Sequence, residues 1–190
     1  MFVILLLCAA PVIASYFTYY VIRPEARRNF GDLIEPQRPL PDQWATTLDG
    51  TRLNLRSLKG QWLLTSVAAG QCDAACQQRL YLQHQLREGL GKGKDRVDWV
   101  WIIQDGADPP AAIRLALETA TVIRLSPVQL AQWLEPAAAT GVQEHLYLID
   151  PLGNLMLRFP AGLDVATAGK AKRDLERLLR ASAFWDFAGR

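Results

Sequence analysis

The stretch that decides the fold is residues 44–80, WATTLDGTRLNLRSLKGQWLLTSVAAGQCDAACQQRL. Within it, residues 61–67, QWLLTSV, form an apolar run with the length of a buried strand. After Cys72 the apolar positions change to helical spacing. Before the strand, Asp49-Gly50 separates two short segments in the manner of a β-hairpin turn. The stretch therefore predicts a hairpin, a buried strand, a cysteine-bearing loop and a helix, in that order.

Strands and helices alternate along the rest of the chain. We expect strands at 97–103 and 121–125, a hairpin built from HLYLID and LMLRF around the turn 151–154, and helices opening at Asp108-Pro109, over 126–134 and over 164–183. Such an alternation predicts an α/β fold, in which helices cover both faces of a central sheet.

The first residues of the chain form an uncharged, largely apolar segment. Residues 2–22 contain no charge and have the length of a transmembrane helix. A cleaved signal peptide is the competing interpretation, but no basic residue precedes Phe2. Residues 23–42 carry four prolines and predict an extended linker, so that the folded domain is expected at 43–190. Arg23, Arg27 and Arg28, taken alone, would place that domain in the cytoplasm.

Composition excludes some classes of protein. The chain of 190 residues is 50% hydrophobic and 21% charged, which argues against a disordered protein. Its net charge of +2 and the lack of a basic stripe interleaved with aromatic residues argue against a nucleic-acid partner.

Cys72 and Cys76 form the clearest chemical motif. At a spacing of four they share one helical face at a strand-to-helix turn, where the helix N-terminus favours thiolate. Two adjacent thiolates suit either reversible oxidation or a soft ion such as Cu(I). The alternative is that the cysteines only pack in the core. Structural zinc is disfavoured because no second ligand pair completes four ligands. Cys8, within the apolar segment, is interpreted as a membrane-embedded thiol.

These residues resemble the Sco/SenC family, copper-handling factors for the assembly of cytochrome c oxidase. The resemblance spans about residues 44–183 and is carried by LDG at 48–50, LKGQW at 58–62, the CxxxC of Cys72 and Cys76, and YLIDPxG at 147–153. It implies a thioredoxin-like domain with a central mixed sheet flanked by helices, behind an N-terminal membrane anchor. It also implies copper as a ligand and the periplasmic side of the inner membrane as the location.

The sequence departs from the family pattern at several points. The aromatic residue and the prolines that usually flank the cysteines are missing. The family's copper-binding histidine falls at Val142, so His145 matches only if the loop is shifted. Two interpretations of His145 stay open, a third copper ligand and an ordinary structural histidine. We expect His84 on a solvated helix face. Asp105 and Asp108 resemble the family's acidic loop, although helix capping explains Asp108 more simply.

The leading hypothesis is a membrane-anchored accessory factor that binds copper through Cys72 and Cys76, with His145 as a candidate third ligand. Its expected partners are the bilayer and either respiratory oxidase subunits or another copper chaperone. A thiol–disulfide reductase that acts through Cys72 and Cys76 on a partner's copper-site cysteines is the alternative. Rapid general exchange is less favoured, since Gln143 and Glu144 stand where thioredoxins place a cis-proline. A metal-free tethered scaffold is the third interpretation. An accessory protein is favoured over a turnover enzyme, although the reductase alternative is an enzyme-like role.

Overall fold

The computed structural model describes residues 2–22 and 29–186. These residues form one mixed sheet and five α-helices. The strands are β1 (Asp32–Pro39), β2 (Trp44–Thr47), β3 (Arg52–Asn54), β4 (Trp62–Ala68), β5 (Val97–Ile103), β6 (Thr121–Arg124), β7 (Leu146–Ile149) and β8 (Asn154–Arg158). The helices are α1 (Phe2–Phe17), α2 (Ala74–Glu88), α3 (Ala111–Ala116), α4 (Pro127–Ala131) and α5 (Val165–Ala181).

The sheet has the strand order β1-β8-β7-β4-β5-β6-β2-β3. Strands β4, β5 and β6 run parallel, because helices connect them, and the other neighbours pair antiparallel. Every residue of β4 is buried, as expected for a central strand with both faces covered. The predicted α/β fold, with a mixed sheet flanked by helices, is confirmed.

Alternate residues of β5 show how the two layers are built. Val100 and Ile102 pack in one cluster with Leu130 of α4. Trp99, Trp101 and Ile103 pack in another cluster on the opposite face, together with α2 and the segment after α3. Helix α5 adds a third cluster that also includes residues of α2. Helix α2, which carries Cys76, therefore lies in the same layer as α3 and α5.

The N-terminal segment is helical as α1 and continues as a π-helical turn at Thr18–Ile22. Among residues 2–22 and 29–186, no helix combines the length and apolar character that crossing a bilayer requires. The transmembrane span expected at 2–22 stays a prediction.

The linker is shorter than the sequence suggested. Residues 32–39, expected to be part of a linker over 23–42, form the edge strand β1, which pairs with β8. Prolines at 36 and 39 are compatible with this position because an edge strand has backbone N–H groups that pair with nothing. Ile34 and Leu40 are buried and fix the segment to the core. Residues 23–28, also assigned to the linker, lie outside the described residues.

Candidate functional site: the Cys72–Cys76 loop

The cysteine pair lies where β4 gives way to α2. Cys72 and Cys76 are joined by a disulfide, with their Cα atoms 5.1 Å apart. The spacing of four residues thus brings the two sulfurs together, as the sequence indicated. Both residues are almost fully buried, with exposed fractions of 2% and 4%. They form part of the apolar cluster that includes Leu80, Trp99 and Trp101.

The backbone of Cys72 is in an uncommon conformation. Its φ of +46° lies in the left-handed region, which costs a residue with a β-carbon on the order of 1–2 kcal/mol. Two hydrogen bonds hold this conformation: the Cys72 amide donates to the Ala69 carbonyl (3.1 Å), and the Gln77 side chain donates to the Cys72 carbonyl (3.0 Å). Backbone strain of this kind is concentrated at functional sites.

Asp73 caps the helix between the two cysteines. Its carboxylate accepts a hydrogen bond from the Cys76 amide at 2.8 Å, in the usual N-cap arrangement. The cap brings a negative charge to the place where the helix dipole was expected to favour thiolate. The pattern of an acidic residue just before a helix was visible in the sequence, but its effect on the cysteines was missed.

Arg79 partly offsets that charge. Burial lowers the pKa of its guanidinium, while the negative charges of Asp73 and Glu144 act in the opposite direction. Glu144 belongs to a 3-10 turn, Val142–Glu144, in the loop before β7. Among residues 2–22 and 29–186, Glu35–Pro36 is the one cis peptide bond, so this loop presents no cis-proline.

The loop after β5 supports the cysteine loop. The Asp105 carboxylate accepts hydrogen bonds from the amides of Gly70 (2.9 Å) and Ala107 (3.2 Å). A β-carbon at Gly70 would lie 2.0 Å from the Ala107 carbonyl oxygen, so only glycine permits this approach. Arg124 donates to the Ala107 carbonyl at 2.8 Å and pairs with Asp108. The capping role expected for Asp108 is therefore wrong: α3 begins after Pro110 without a side-chain cap.

His145 occupies a separate, buried position, with 1% of its surface exposed. The Ala137 amide donates to Nε2 (3.3 Å), so the proton resides on Nδ1, which donates to the Phe159 carbonyl (2.8 Å). Thr140 also contacts Nε2, at 2.7 Å. Burial is the main cause that lowers the pKa of this imidazole. Within the described ranges, 2–22 and 29–186, no three His, Cys, Asp or Glu side chains are grouped to hold a metal.

His84 contributes to a groove beside the cysteines instead. Its ring packs against Trp99, with centroids 5.1 Å apart. The groove, of about 320 Å³, runs between α2 and α3 and is largely apolar. Gln77, which binds the Cys72 carbonyl, also lines it. Sequence reasoning missed this groove because its residues come from three distant segments.

Comparison with solved structures shows the same architecture. A Sco-family cytochrome c oxidase assembly protein, BsSco, described with a disulfide switch, is 14% identical, with a TM-score of 0.58 over 80% of this chain and 96% of that chain. ScoI from Bradyrhizobium japonicum with copper bound is 21% identical, with a TM-score of 0.50 over 70% and 95%. The thioredoxin domain of a thiol-disulfide oxidoreductase from Bacteroides vulgatus is 18% identical, with a TM-score of 0.53 over 74% and 94%.

The predicted resemblance to Sco/SenC proteins is confirmed among these structures, and at such identities it concerns the fold. The search of curated proteins found no match. A family model described as "Transmembrane-like, thioredoxin-like, C-terminal domain" matches residues 62–182, from β4 to the end of α5. Since that match covers more than half of the chain and contains the cysteine loop, the chain belongs to this thioredoxin-like family.

Proposed function

We propose that the protein is a membrane-anchored accessory factor that performs thiol–disulfide exchange on the cysteines of a partner during cytochrome c oxidase assembly. The observation that carries the proposal is the Cys72–Cys76 disulfide, seated at the strand-to-helix turn with Cys72 in a left-handed conformation. Reduction of this disulfide to a dithiol takes two electrons. The dithiol can then pass the same two electrons to a partner disulfide.

The exchange reaction transfers two electrons from the reduced cysteine pair to a partner disulfide. In the reduced protein a thiolate of the pair attacks a partner disulfide, forms a mixed disulfide and releases one partner thiolate. The second cysteine then attacks the mixed disulfide, which restores the Cys72–Cys76 bond and releases the partner as a dithiol. Another dithiol protein supplies the next two electrons. Burial of both sulfurs requires the cysteine loop to open before attack, which favours a dedicated partner over broad exchange.

Copper is the second candidate, as cargo of the reduced pair. The two sulfurs are adjacent, and paired thiolates select Cu(I). His145, proposed as a third ligand, is held by Phe159, Thr140 and Ala137 and would have to give up contacts at Nε2 or Nδ1 to bind a metal. The donor set next to the loop therefore fits a two-sulfur Cu(I) site better than a three-ligand Cu(II) site. The copper-bound relative ScoI supports this candidate.

Anchoring is part of the proposal. Residues 2–22 are uncharged and helical, and their tyrosines at 16, 19 and 20 are exposed at the C-terminal end of the segment. Aromatic side chains favour the membrane–water interface at such an end. The resemblance to Sco/SenC proteins, rather than the charges of Arg23, Arg27 and Arg28, is our reason to propose the inner membrane for the segment and the periplasmic side for the domain. An oxidase subunit or another copper chaperone would meet the domain there.

Mixed-disulfide trapping tests the exchange reaction. The full chain, in a Cys8→Ser background that removes the one free cysteine, is reduced and mixed with an oxidised oxidase-subunit domain that carries its copper-site cysteines. We expect a covalent adduct with either Cys72→Ser or Cys76→Ser, whichever leaves the attacking sulfur, and none with both replaced. Absence of an adduct from both single variants would overturn the exchange proposal.

Titration with Cu(I) separates the second candidate from the first. The reduced Cys8→Ser chain should bind one equivalent, and Cys72→Ser/Cys76→Ser should lose binding. His145→Gln should leave the affinity for Cu(I) within about threefold, because the site consists of two thiolates. Equal binding by the cysteine-free chain would exclude copper at this pair. Failure of both experiments would favour the metal-free scaffold.

A further inference from the structure

The outer face of α5 carries a row of positive charge. Lys170, Arg173, Arg177 and Arg180, here called the basic stripe, follow one another at intervals of three, four and three residues and are all exposed. This spacing places them along one side of the helix. The opposite side of α5 packs in the core through Ala171, Leu175 and Leu179. The stripe is thus the outward face of an amphipathic helix.

Among residues 29–186, ion pairs neutralise little of this charge. Over residues 2–22 and 29–186, Arg177 is the member of the stripe that forms an ion pair, with Asp174 at 3.6 Å. Lys170 lies over the ring of Phe30, with Nζ 5.7 Å from the ring centroid. Glu176, a second acidic residue beside the stripe, is paired with Lys172 at 3.6 Å.

The start of the folded domain is fixed to this same helix. The buried carboxylate of Asp174 accepts hydrogen bonds from the amides of Phe30 (2.6 Å) and Gly31 (3.0 Å). The chain therefore enters the domain beside the stripe. Residue 29 is seven steps from Ile22, the end of the apolar segment, and seven extended residues span at most about 25 Å. An anchored segment would keep residue 29, which lies beside Lys170, Arg173 and Arg177, within that distance of the bilayer surface.

From this placement we propose that the basic stripe on α5 docks the domain on an anionic phospholipid surface, in the bilayer that holds residues 2–22. The proposal rests on the anchoring proposed above. Charge complementarity supports it, because clustered Lys and Arg side chains next to a membrane segment attract anionic headgroups. Arg23, Arg27 and Arg28, offset in part by Glu25, give the connecting sequence a net charge of +2. Docking would set the orientation in which the domain meets a membrane-bound partner.

The test uses the full chain in lipid nanodiscs. One preparation contains phosphatidylcholine alone and the other has about one third phosphatidylglycerol. A fluorophore on Gly169→Cys, in a Cys8→Ser background, reports contact with nitroxide-labelled headgroups, and position 169 has open space for a side chain. A fluorophore on Val128→Cys, exposed on α4 in the opposite layer, is the control.

We expect the label at 169 to be quenched at least about twofold more strongly in discs with phosphatidylglycerol, and the difference to disappear at high salt. Lys170→Glu/Arg173→Glu should abolish it, while Arg52→Glu/Arg114→Glu, which changes the charge equally at exposed positions on β3 and α3, should not. Thermal unfolding of both double variants checks that they fold. Equal quenching in the two kinds of disc, or quenching that survives the stripe substitutions, would overturn the proposal and leave an acidic protein as the partner of the stripe.

A different result would identify a failure of the anchor. If the chain does not remain with the discs, anchoring by residues 2–22 is wrong. Sedimentation with vesicles of the same two compositions then tests lipid binding by the basic stripe independently of the anchor. Binding that depends on phosphatidylglycerol and on Lys170 and Arg173 would support the stripe, whereas equal binding to both compositions would overturn it.

Discussion

At the scale of single residues, we expect the charge of Asp73 to affect the reactivity of the reduced cysteines. Its carboxylate caps α2 at the Cys76 amide and opposes the negative charge of a nearby thiolate. Asp73→Asn keeps the cap but removes the charge, since Asn and Asp cap helices about equally well. We expect the reduced Cys8→Ser chain to react with iodoacetamide roughly threefold faster, or more, after this substitution.

The matched control for Asp73 is Asp49→Asn, which removes a carboxylate from the exposed hairpin turn between β2 and β3. That variant should react at the parent rate. If Asp73→Asn also reacts at the parent rate, its charge does not act on the cysteines.

His145 gives the stability of the domain a dependence on pH. Burial holds the pKa of His145 below the ordinary value of 6.5, with the hydrogen bond to Phe159 acting in the opposite direction. The unfolded chain therefore binds more protons than the folded chain between the lowered pKa and 6.5. The free energy of unfolding should decrease as the pH falls through that window and level off below it.

Urea unfolding from pH 7 down to pH 5 measures this dependence. His145→Gln lowers stability at every pH because it disrupts the contacts with Phe159 and Thr140, so the quantity to compare is the slope against pH. We expect the slope to become flatter in His145→Gln, and His84→Gln, which alters the half-exposed groove histidine, is the control. An unchanged slope in His145→Gln would assign the dependence to other groups.

At the scale of elements, the cysteine loop depends on its contact with the loop after β5. Gly70→Ala would force the added methyl against the Ala107 carbonyl, which is backbone and cannot move alone. Overpacking of this kind costs about 1–3 kcal/mol. We therefore expect Gly70→Ala to lower the free energy of unfolding by that amount and to accelerate reduction of the disulfide.

Gly106→Ala is the control for Gly70, because a β-carbon at position 106 meets no atom within 4 Å. Denaturant unfolding and the rate of reduction by dithiothreitol measure the two effects. If both glycine variants behave alike, the contact between the loops does not hold the cysteine loop in place.

The elements also show what the sequence could predict. Residues 97–103 were identified as a strand because a short run of apolar residues is typical of a strand that is covered on both faces. Strand β1 was assigned to a linker, since proline-rich extended backbone looks the same whether or not it pairs with a neighbour. The positions of His145 and of Arg124 beside Asp108 depend on contacts between distant segments, which spacing along the chain does not encode.

At the scale of the whole molecule, the redox state of the pair and the stability of the fold are linked. A disulfide that closes a short loop stabilises the folded state by on the order of 2 kcal/mol in the chain-entropy model. For a chain of this size we expect the oxidised protein to melt about 4–8 °C above the reduced protein. Calorimetry with and without reductant measures the shift, and Cys72→Ser/Cys76→Ser should show none. Equal melting temperatures in the two states would mean that the disulfide adds nothing to the fold.

The two edge strands of the sheet limit how the protein can associate with other chains. Strand β1 has proline at 36 and 39, an irregular register between Leu33 and Arg38, and charged side chains, while β3 at the far border has three residues. Such borders offer few consecutive donors and acceptors to a foreign strand. Donor-strand exchange and fibril growth through the described sheet are therefore disfavoured, and crowding of many copies on one membrane should not cross-link them by backbone pairing. Recognition of a partner then falls to the faces of the domain.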